Sequence, residues 1–165
     1  ENCEGKRKKV LVLATSLTLK EEKFHNLVKR IDRHDIVESL PLPGLVEFAE
    51  NFEFKEEKVV PYLKEKLSSF DLKQFGTVVL GCTHFPYFEN SIKKIFPKDV
   101  DIISGSIGTA KNLKRVLEAN NQMNDGTGDI KFFKSGYEVE DKETLSAYNE
   151  LLVLLDRMSS ITTLV

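Results

Sequence analysis

The sequence has few cysteines, no long apolar run and no excess of one charge, and each absence excludes a class of protein. Two cysteines among 165 residues are too few for a disulfide scaffold and fit a reducing, cytosolic compartment. No apolar run approaches the roughly 20 residues that a membrane span needs, and the polar, basic N-terminus lacks the apolar core of a signal peptide. With 24 basic against 26 acidic residues, the chain also lacks the basic excess that is typical of nucleic-acid-binding domains.

Several binding motifs are missing as well. Neither G-x-G-x-x-G nor G-x-x-x-x-G-K-[ST] occurs, which argues against a nucleotide-binding fold of either kind. The two cysteines and three histidines show no C-x-x-C or H-x-x-x-H spacing, so we expect no metal site. His25 and His34 stand among charged residues and are predicted to be solvated surface side chains.

Apolar patterning predicts alternating strands and helices. Short, β-branched apolar runs indicate strands, and apolar residues spaced three and four apart indicate helices. Strands are predicted at 10–14, 35–39, 77–80, 100–103 and 130–133, and helices at 19–32, 45–49, 60–70, 88–95, 107–117 and 145–158. This alternation predicts an α/β fold with a parallel sheet and helices on both faces.

Functional loops in such a sheet lie at the carboxyl ends of its strands. Three predicted loops of this kind carry hydroxyl or thiol groups, at residues 15–18, 82–84 and 104–106. The loop at 82–84 is the most informative, because it places Cys82 directly after a buried strand and before a helix. Backbone N–H groups at a helix start, together with the nearby His84, favour the thiolate, which can act as a nucleophile or a base. The alternative is that Cys82 is a small buried apolar residue and His84 a helix cap.

Three segments resemble motifs of glutamate racemase and its aspartate/glutamate racemase relatives. Residues 80–86, Leu-Gly-Cys-Thr-His-Phe-Pro, resemble the family's second cysteine motif, Leu-Gly-Cys-Thr-His-Tyr-Pro. Residues 12–18, Val-Leu-Ala-Thr-Ser-Leu-Thr, resemble its Gly-Thr-x-x-Thr turn, with Ala14 in the usual glycine place. Residues 41–47, Pro-Leu-Pro-Gly-Leu-Val-Glu, resemble a shortened Cys-Pro-Leu-x-x-Pro-Leu-Val-Glu, with Leu40 replacing the cysteine.

Two further segments extend the resemblance towards the C-terminus. Residues 102–105, Ile-Ile-Ser-Gly, resemble the family's Ile-Asp-Ser-Gly, with Ile103 where an aspartate is common, and residues 132–136 resemble a late strand that ends in Ser-Gly. The matches occur in family order over residues 9–158. They imply the aspartate/glutamate racemase fold, with the substrate held between two α/β lobes.

The resemblance implies cofactor-independent interconversion of L- and D-glutamate, which supplies D-glutamate for peptidoglycan and so for cell wall biogenesis and cell shape. Two cysteines, one from each lobe, transfer the proton at Cα. Here Cys82 would be the base for one enantiomer and the acid for the other. His84 would assist that thiol and contact the substrate, and Glu47 would assist from the same lobe, although its pattern alone fits the exposed side of a helix. The hydroxyls and backbone N–H groups that would hold the substrate's carboxylates belong to Thr15, Thr18 and Thr83.

The family's other cysteine lies in an Ala-Cys-Asn-Thr segment of a first lobe, and this segment is not in the sequence. Cys3 is followed by Glu-Gly and does not fit that role. Residues 9–98 therefore resemble the second racemase lobe, and residues 99–165 the segment that would complete the missing first lobe. We expect the chain alone to be inactive, and to form a homodimer or pair through the surface that the missing lobe would cover. The open alternatives are a non-catalytic amino-acid-binding or regulatory relative and an aspartate racemase.

Overall fold

A computed structural model describes residues 8–158 of the chain, the last two by their backbone alone. The chain forms two compact units that divide after Ser106. No helix in the described range is long and apolar enough to cross a membrane.

The first unit is built on a four-stranded parallel sheet. Its strands are β1 (Lys9–Ala14), β2 (Val37–Pro41), β3 (Phe75–Leu80) and β4 (Asp101–Ser104). Their spatial order is β2-β1-β3-β4, so β1 and β3 lie in the centre. These central strands are the two continuous apolar runs of the sequence, as a strand buried on both faces requires. The predicted α/β fold with a parallel sheet is confirmed.

Helices connect the strands. They are α1 (Ser16–Lys20), α2 (Glu22–Ile31), α3 (Pro43–Glu50), α4 (Glu56–Leu67), α5 (Glu89–Lys93), α6 (Ser106–Ala119) and α7 (Lys142–Met158). Two short 3-10 helices occur at Leu72–Gln74 and Phe85–Phe88. In the second unit a two-stranded antiparallel hairpin, β5 (Phe133–Lys134) and β6 (Tyr137–Glu138), lies between α6 and α7.

The main core lies between one face of the sheet and the helices α3, α4 and α5. Fully buried side chains come from every layer of it: Leu11, Leu13, Leu45, Val59, Leu63, Phe75, Val78, Phe85 and Ile92. This core fixes the carboxyl ends of β1 and β3 and the segment after β3, where the sequence places its reactive side chains.

Three predicted elements differ from the structure. The predicted helix 19–32 is two helices, because Glu21 adopts an extended backbone (φ −65°, ψ 132°) between them. The predicted strand at 130–133 shrinks to the two-residue β5. The predicted helix 60–70 begins earlier, at Glu56, so Pro61 lies inside α4, where it removes one backbone donor. The buried side chains Val59, Leu63 and Leu67 keep that helix on the core.

Strand β4 follows the boundary that the sequence predicts between residues 98 and 99. It pairs with β3 from Thr77–Asp101 to Leu80–Ser104 and so belongs to the sheet of the first unit. The strand predicted at 100–103 is therefore paired along one side. Whether the second unit completes a first lobe stays a prediction.

Asp32 joins the end of α2 to the start of β2. Its carboxylate accepts hydrogen bonds from the backbone N–H groups of Ile36 (3.1 Å) and Val37 (2.9 Å). These hydrogen bonds favour the charged form, so they lower the pKa of Asp32 below its ordinary value of 3.8. By holding the turn before β2, Asp32 places Val37 opposite Val10 of β1.

The Asp32→Asn variant is expected to be less stable than the parent chain at neutral pH. A carboxyl whose pKa is lower in the folded state contributes stability above its unfolded value, and this contribution is lost as the pH falls through the folded value. The difference between variant and parent should therefore shrink below about pH 4. Urea unfolding from pH 3 to 7 measures it, with Asp125→Asn in the exposed loop as the control. A difference that is constant across this range would contradict the assignment.

Candidate active site at the carboxyl edge of the sheet

All four parallel strands end at one edge of the first unit. Ala14 lies opposite Pro41, and Leu80 lies opposite both Leu13 and Ser104. The chain segments that leave this edge are tied together by backbone hydrogen bonds. Gly81 N–H donates to the Leu13 carbonyl (2.7 Å), next to the donation from Leu42 N–H to the Ala14 carbonyl (3.0 Å). The loops after β1, β2 and β3 therefore start side by side.

The thiol of Cys82 and the imidazole of His84 are in contact at this edge. Sγ of Cys82 lies 3.7 Å from Nδ1 of His84, and both side chains are half-buried. The turn is closed by Phe85 N–H, which donates to the Cys82 carbonyl (3.2 Å). A thiol and an imidazole in hydrogen-bond contact can pass a proton between them, which is the arrangement that acid–base or nucleophilic chemistry needs.

The element that follows Cys82 is not the helix predicted at 88–95. A four-residue 3-10 helix, Phe85–Phe88, comes first, and the five-residue α5 comes after it. His84 occupies the N-cap position of the 3-10 helix, but its side chain makes no capping hydrogen bond. The sequence predicts that a helix start favours the Cys82 thiolate. The structure has only a four-residue 3-10 helix after this turn, and the group in contact with the thiol is the His84 imidazole.

Thr15 and Thr18 form a second polar cluster after β1. Thr15 caps α1: its Oγ1 accepts from Thr18 N–H (3.1 Å) and lies 2.9 Å from Oγ1 of Thr18. Both side chains are half-buried, whereas Thr83 is exposed. Hydroxyls beside a strand end can donate to a carboxylate, which is the role that the sequence predicts for these residues.

Glu47 lies on the exposed side of α3, four residues after the helix begins. Its charge acts on the phenol of Tyr62: burial is the main cause that raises the pKa of Tyr62, and the Glu47 carboxylate adds to it. The structure thus brings Cys82 to His84 and Thr15 to Thr18. The charge of Glu47 acts on Tyr62, a residue that the sequence analysis did not select.

The remaining polar candidates lie outside this group. His25 is exposed, with its ring edge-on to Phe24 at 5.8 Å between centroids, and His34 is exposed as well, as the sequence predicts. In the third loop, Oγ of Ser104 lies 3.3 Å from Oγ of Ser106. Among the described residues there is no cluster of three or more histidine, cysteine, aspartate or glutamate side chains that could hold a metal ion. Cys3 lies outside the described residues.

A thiol, an imidazole and paired hydroxyls at the carboxyl edge of a parallel sheet define the class: an α/β domain that is equipped for proton transfer by side chains. Comparison with known proteins shows which proteins the chain is similar to. The chain is 63% identical to glutamate racemase 2 of Bacillus subtilis over 154 residues and 50% identical to glutamate racemase of Halothermothrix orenii over 150 residues. These alignments cover 93% and 90% of the chain. Both relatives are glutamate racemases, and the chain spans 58% of the length of each.

Solved structures agree with the fold. Glutamate racemase of Escherichia coli, in complex with L-glutamate and the activator UDP-MurNAc-Ala, matches 93% of the chain and 56% of its own length, with a TM-score of 0.65 and 25% identity. Glutamate racemase of Francisella tularensis, in complex with D-glutamate, matches 73% of the chain and 45% of its own length, with a TM-score of 0.63 and 30% identity. No family model matches the chain.

Proposed function

We propose that this chain supplies one of the two acid–base faces of an enzyme that interconverts L- and D-glutamate. The contact between Cys82 and His84 at the carboxyl edge is the observation that carries the proposal. It is supported by the 63% identity to a glutamate racemase over nearly the whole chain and by structural relatives that hold L- or D-glutamate. The proposal includes a cytoplasmic role in providing D-glutamate for the cell wall.

In this mechanism the Cys82 thiolate removes the proton from Cα of one enantiomer, so that the Cα–H bond breaks and an S–H bond forms. A second acid then donates a proton to the opposite face of the same carbon. In the reverse direction the two groups exchange roles. His84 stands next to the thiol and assists its loss and gain of the proton, and the hydroxyls of Thr15, Thr18 and Thr83 bind the carboxylates. Glu47 is assigned to the same lobe in an assisting role.

The second unit is assigned to a first lobe, formed together with chain that the relatives have beyond the matched region. Large apolar side chains of this unit are exposed, which supports the assignment. They include Leu113 (59% exposed), Phe133 (60%) and Tyr137 (81%). Without a covering lobe, such a surface would favour pairing with another copy.

Circular dichroism of L- and D-glutamate over time tests the proposal, with aspartate as the alternative substrate. The complete gene product should racemise glutamate and incorporate deuterium from D₂O at Cα. The 165-residue chain alone should show no measurable turnover, because one group that exchanges a proton on a single face returns the same enantiomer. Binding of glutamate without turnover by the complete gene product would point instead to a binding or regulatory protein, and faster turnover of aspartate would point to an aspartate racemase.

A further inference from the structure

Helix α3 begins at the carboxyl edge without a capping side chain of its own. Its N-cap residue, Leu42, makes no side-chain hydrogen bond, and Pro43 at the first helical position has no N–H. The next amide, that of Gly44, donates to Oη of Tyr62 at 3.1 Å. The first turn of α3 is therefore fixed by a phenol from α4, which is 18 residues further along the chain.

The contact is steric as well as polar. A Cβ atom on Gly44 would lie 2.7 Å from Cε2, 2.8 Å from Cζ and 2.9 Å from Oη of Tyr62. Distances below 3.0 Å force something to move, so the backbone of Gly44 touches the ring and no larger residue fits there without displacing it.

The ring of Tyr62 has little room to move. It packs edge to face with Phe48 of α3, with ring centroids 5.5 Å apart and ring planes at 89°, and the Lys66 ammonium lies 5.7 Å from its centroid. Tyr62 is also carried by the helix whose Val59 and Leu63 are fully buried. The phenol therefore holds α3 at two points one helical turn apart, at Gly44 and at Phe48.

The position of α3 matters at the site because α3 packs against the 3-10 helix Phe85–Phe88. That helix begins directly after His84, and its first N–H closes the turn on the Cys82 carbonyl. The start of α3 is also joined to β1 through Leu42 N–H and the Ala14 carbonyl (3.0 Å), one residue before Thr15. A shift of α3 would thus move Glu47, and it would also displace the segments that carry Thr15 and the Cys82–His84 pair.

We infer that Tyr62 is a positioning residue for the proton-transfer site: its contact with Gly44 sets the first turn of α3 and, through α3, the placement of the segment that carries Cys82 and His84. This inference rests on the proposed racemase function. Small displacements of reacting groups are costly, since about 1 Å of misplacement can lower a rate roughly 100-fold.

The test uses the complete gene product with Tyr62→Phe, which removes the oxygen and keeps the ring. Tyr148→Phe, at a half-buried tyrosine of the second unit, is the matched control. We expect Tyr62→Phe to lower kcat by roughly 10- to 100-fold with a smaller change in KM, and Tyr148→Phe to change neither. Since Cys82 would deprotonate one enantiomer only, the primary deuterium isotope effect at Cα should rise for that enantiomer and not for the other.

A second set of variants separates positioning from folding. Gly44→Ala should lower kcat as Tyr62→Phe does, whereas the same substitution in a Tyr62→Leu background should cost less than about twofold, because the steric conflict is gone. Isotope effects that stay equal for both enantiomers in Tyr62→Phe, with kcat per folded molecule unchanged, would overturn the inference.

A failure of the proposed racemase function can be distinguished from a failure of the inference about Tyr62. If the complete gene product does not racemise glutamate, the alkylation rate of Cys82, followed by mass spectrometry of its peptide, decides the positioning role by itself. A rate that changes severalfold in Tyr62→Phe and stays constant in Tyr148→Phe supports the role. An equal rate in both variants overturns it.

Discussion

Replacing Cys82 by serine is expected to abolish glutamate racemisation by the complete gene product. A serine hydroxyl loses its proton far less readily than a thiol, so near neutral pH the base on one face of Cα would be missing. A positioned acid–base group is typically worth about 10²–10⁴-fold in rate, and the loss should be at least that large in both directions. His84, 3.7 Å from the sulfur, cannot compensate if the thiol is the group that reaches the substrate.

The measurement is circular dichroism of each glutamate enantiomer with equal amounts of folded enzyme. Cys3→Ser is the matched control, because it makes the same chemical change at the other cysteine, and it should retain activity. Robust turnover that survives Cys82→Ser would refute both the two-base mechanism and the role assigned to this thiol.

The Phe88→Ala variant is expected to lose roughly 3–5 kcal/mol of the free energy of unfolding. Phe88 ends the 3-10 helix after the candidate site, is 1% exposed and stacks near Phe54 with ring centroids 5.7 Å apart. Truncation removes most of a buried ring and leaves a cavity that a close-packed core fills only in part.

Urea unfolding of the chain, followed by circular dichroism in the far ultraviolet, measures this loss. Phe133→Ala is the control: Phe133 is 60% exposed on β5, and substitutions at such sites usually change stability by less than about 0.5 kcal/mol. A loss for Phe88→Ala as small as the one expected for Phe133→Ala would show that the main core does not depend on Phe88.

Features that depend on local sequence patterns, such as the central strands and the loops at their ends, are predicted well from the sequence. The central strands β1 and β3 are continuous apolar runs, and both are found where the pattern indicates. Their ends lead directly to Thr15 and Cys82, so the carboxyl edge could be anticipated from the alternation of strands and helices. The hydroxyl and thiol groups of that edge follow from the same reasoning.

The features that the sequence did not predict depend on contacts between distant segments. The hydrogen bond from Gly44 to Tyr62 joins residues 18 positions apart, and a tyrosine within a helical stripe gives no sign of it. A break at Glu21 cannot be read from the apolar stripe of α2, which begins only at Phe24. The apolar stripe predicted for α4 begins at Val60, whereas the fully buried side chain is its neighbour Val59, because the sheet decides which face of the helix is covered.

Gly81 and Ala14 meet at the ends of β3 and β1, and this contact limits how the site can be altered by protein engineering. A methyl group added to Gly81 would lie 3.1 Å from both the Ala14 Cβ and the Leu13 carbonyl oxygen. The space between the two strands therefore accommodates a single methyl group, and Ala14 already fills it. Mutant libraries intended to reshape the site should treat these positions as one steric unit: alanine at position 81 requires both Ala14 and the Leu13 carbonyl to shift by a few tenths of an ångström, and glycine at position 14 would relieve only the first of these contacts. Larger residues at either position would push apart the backbones that present Thr15 and Cys82.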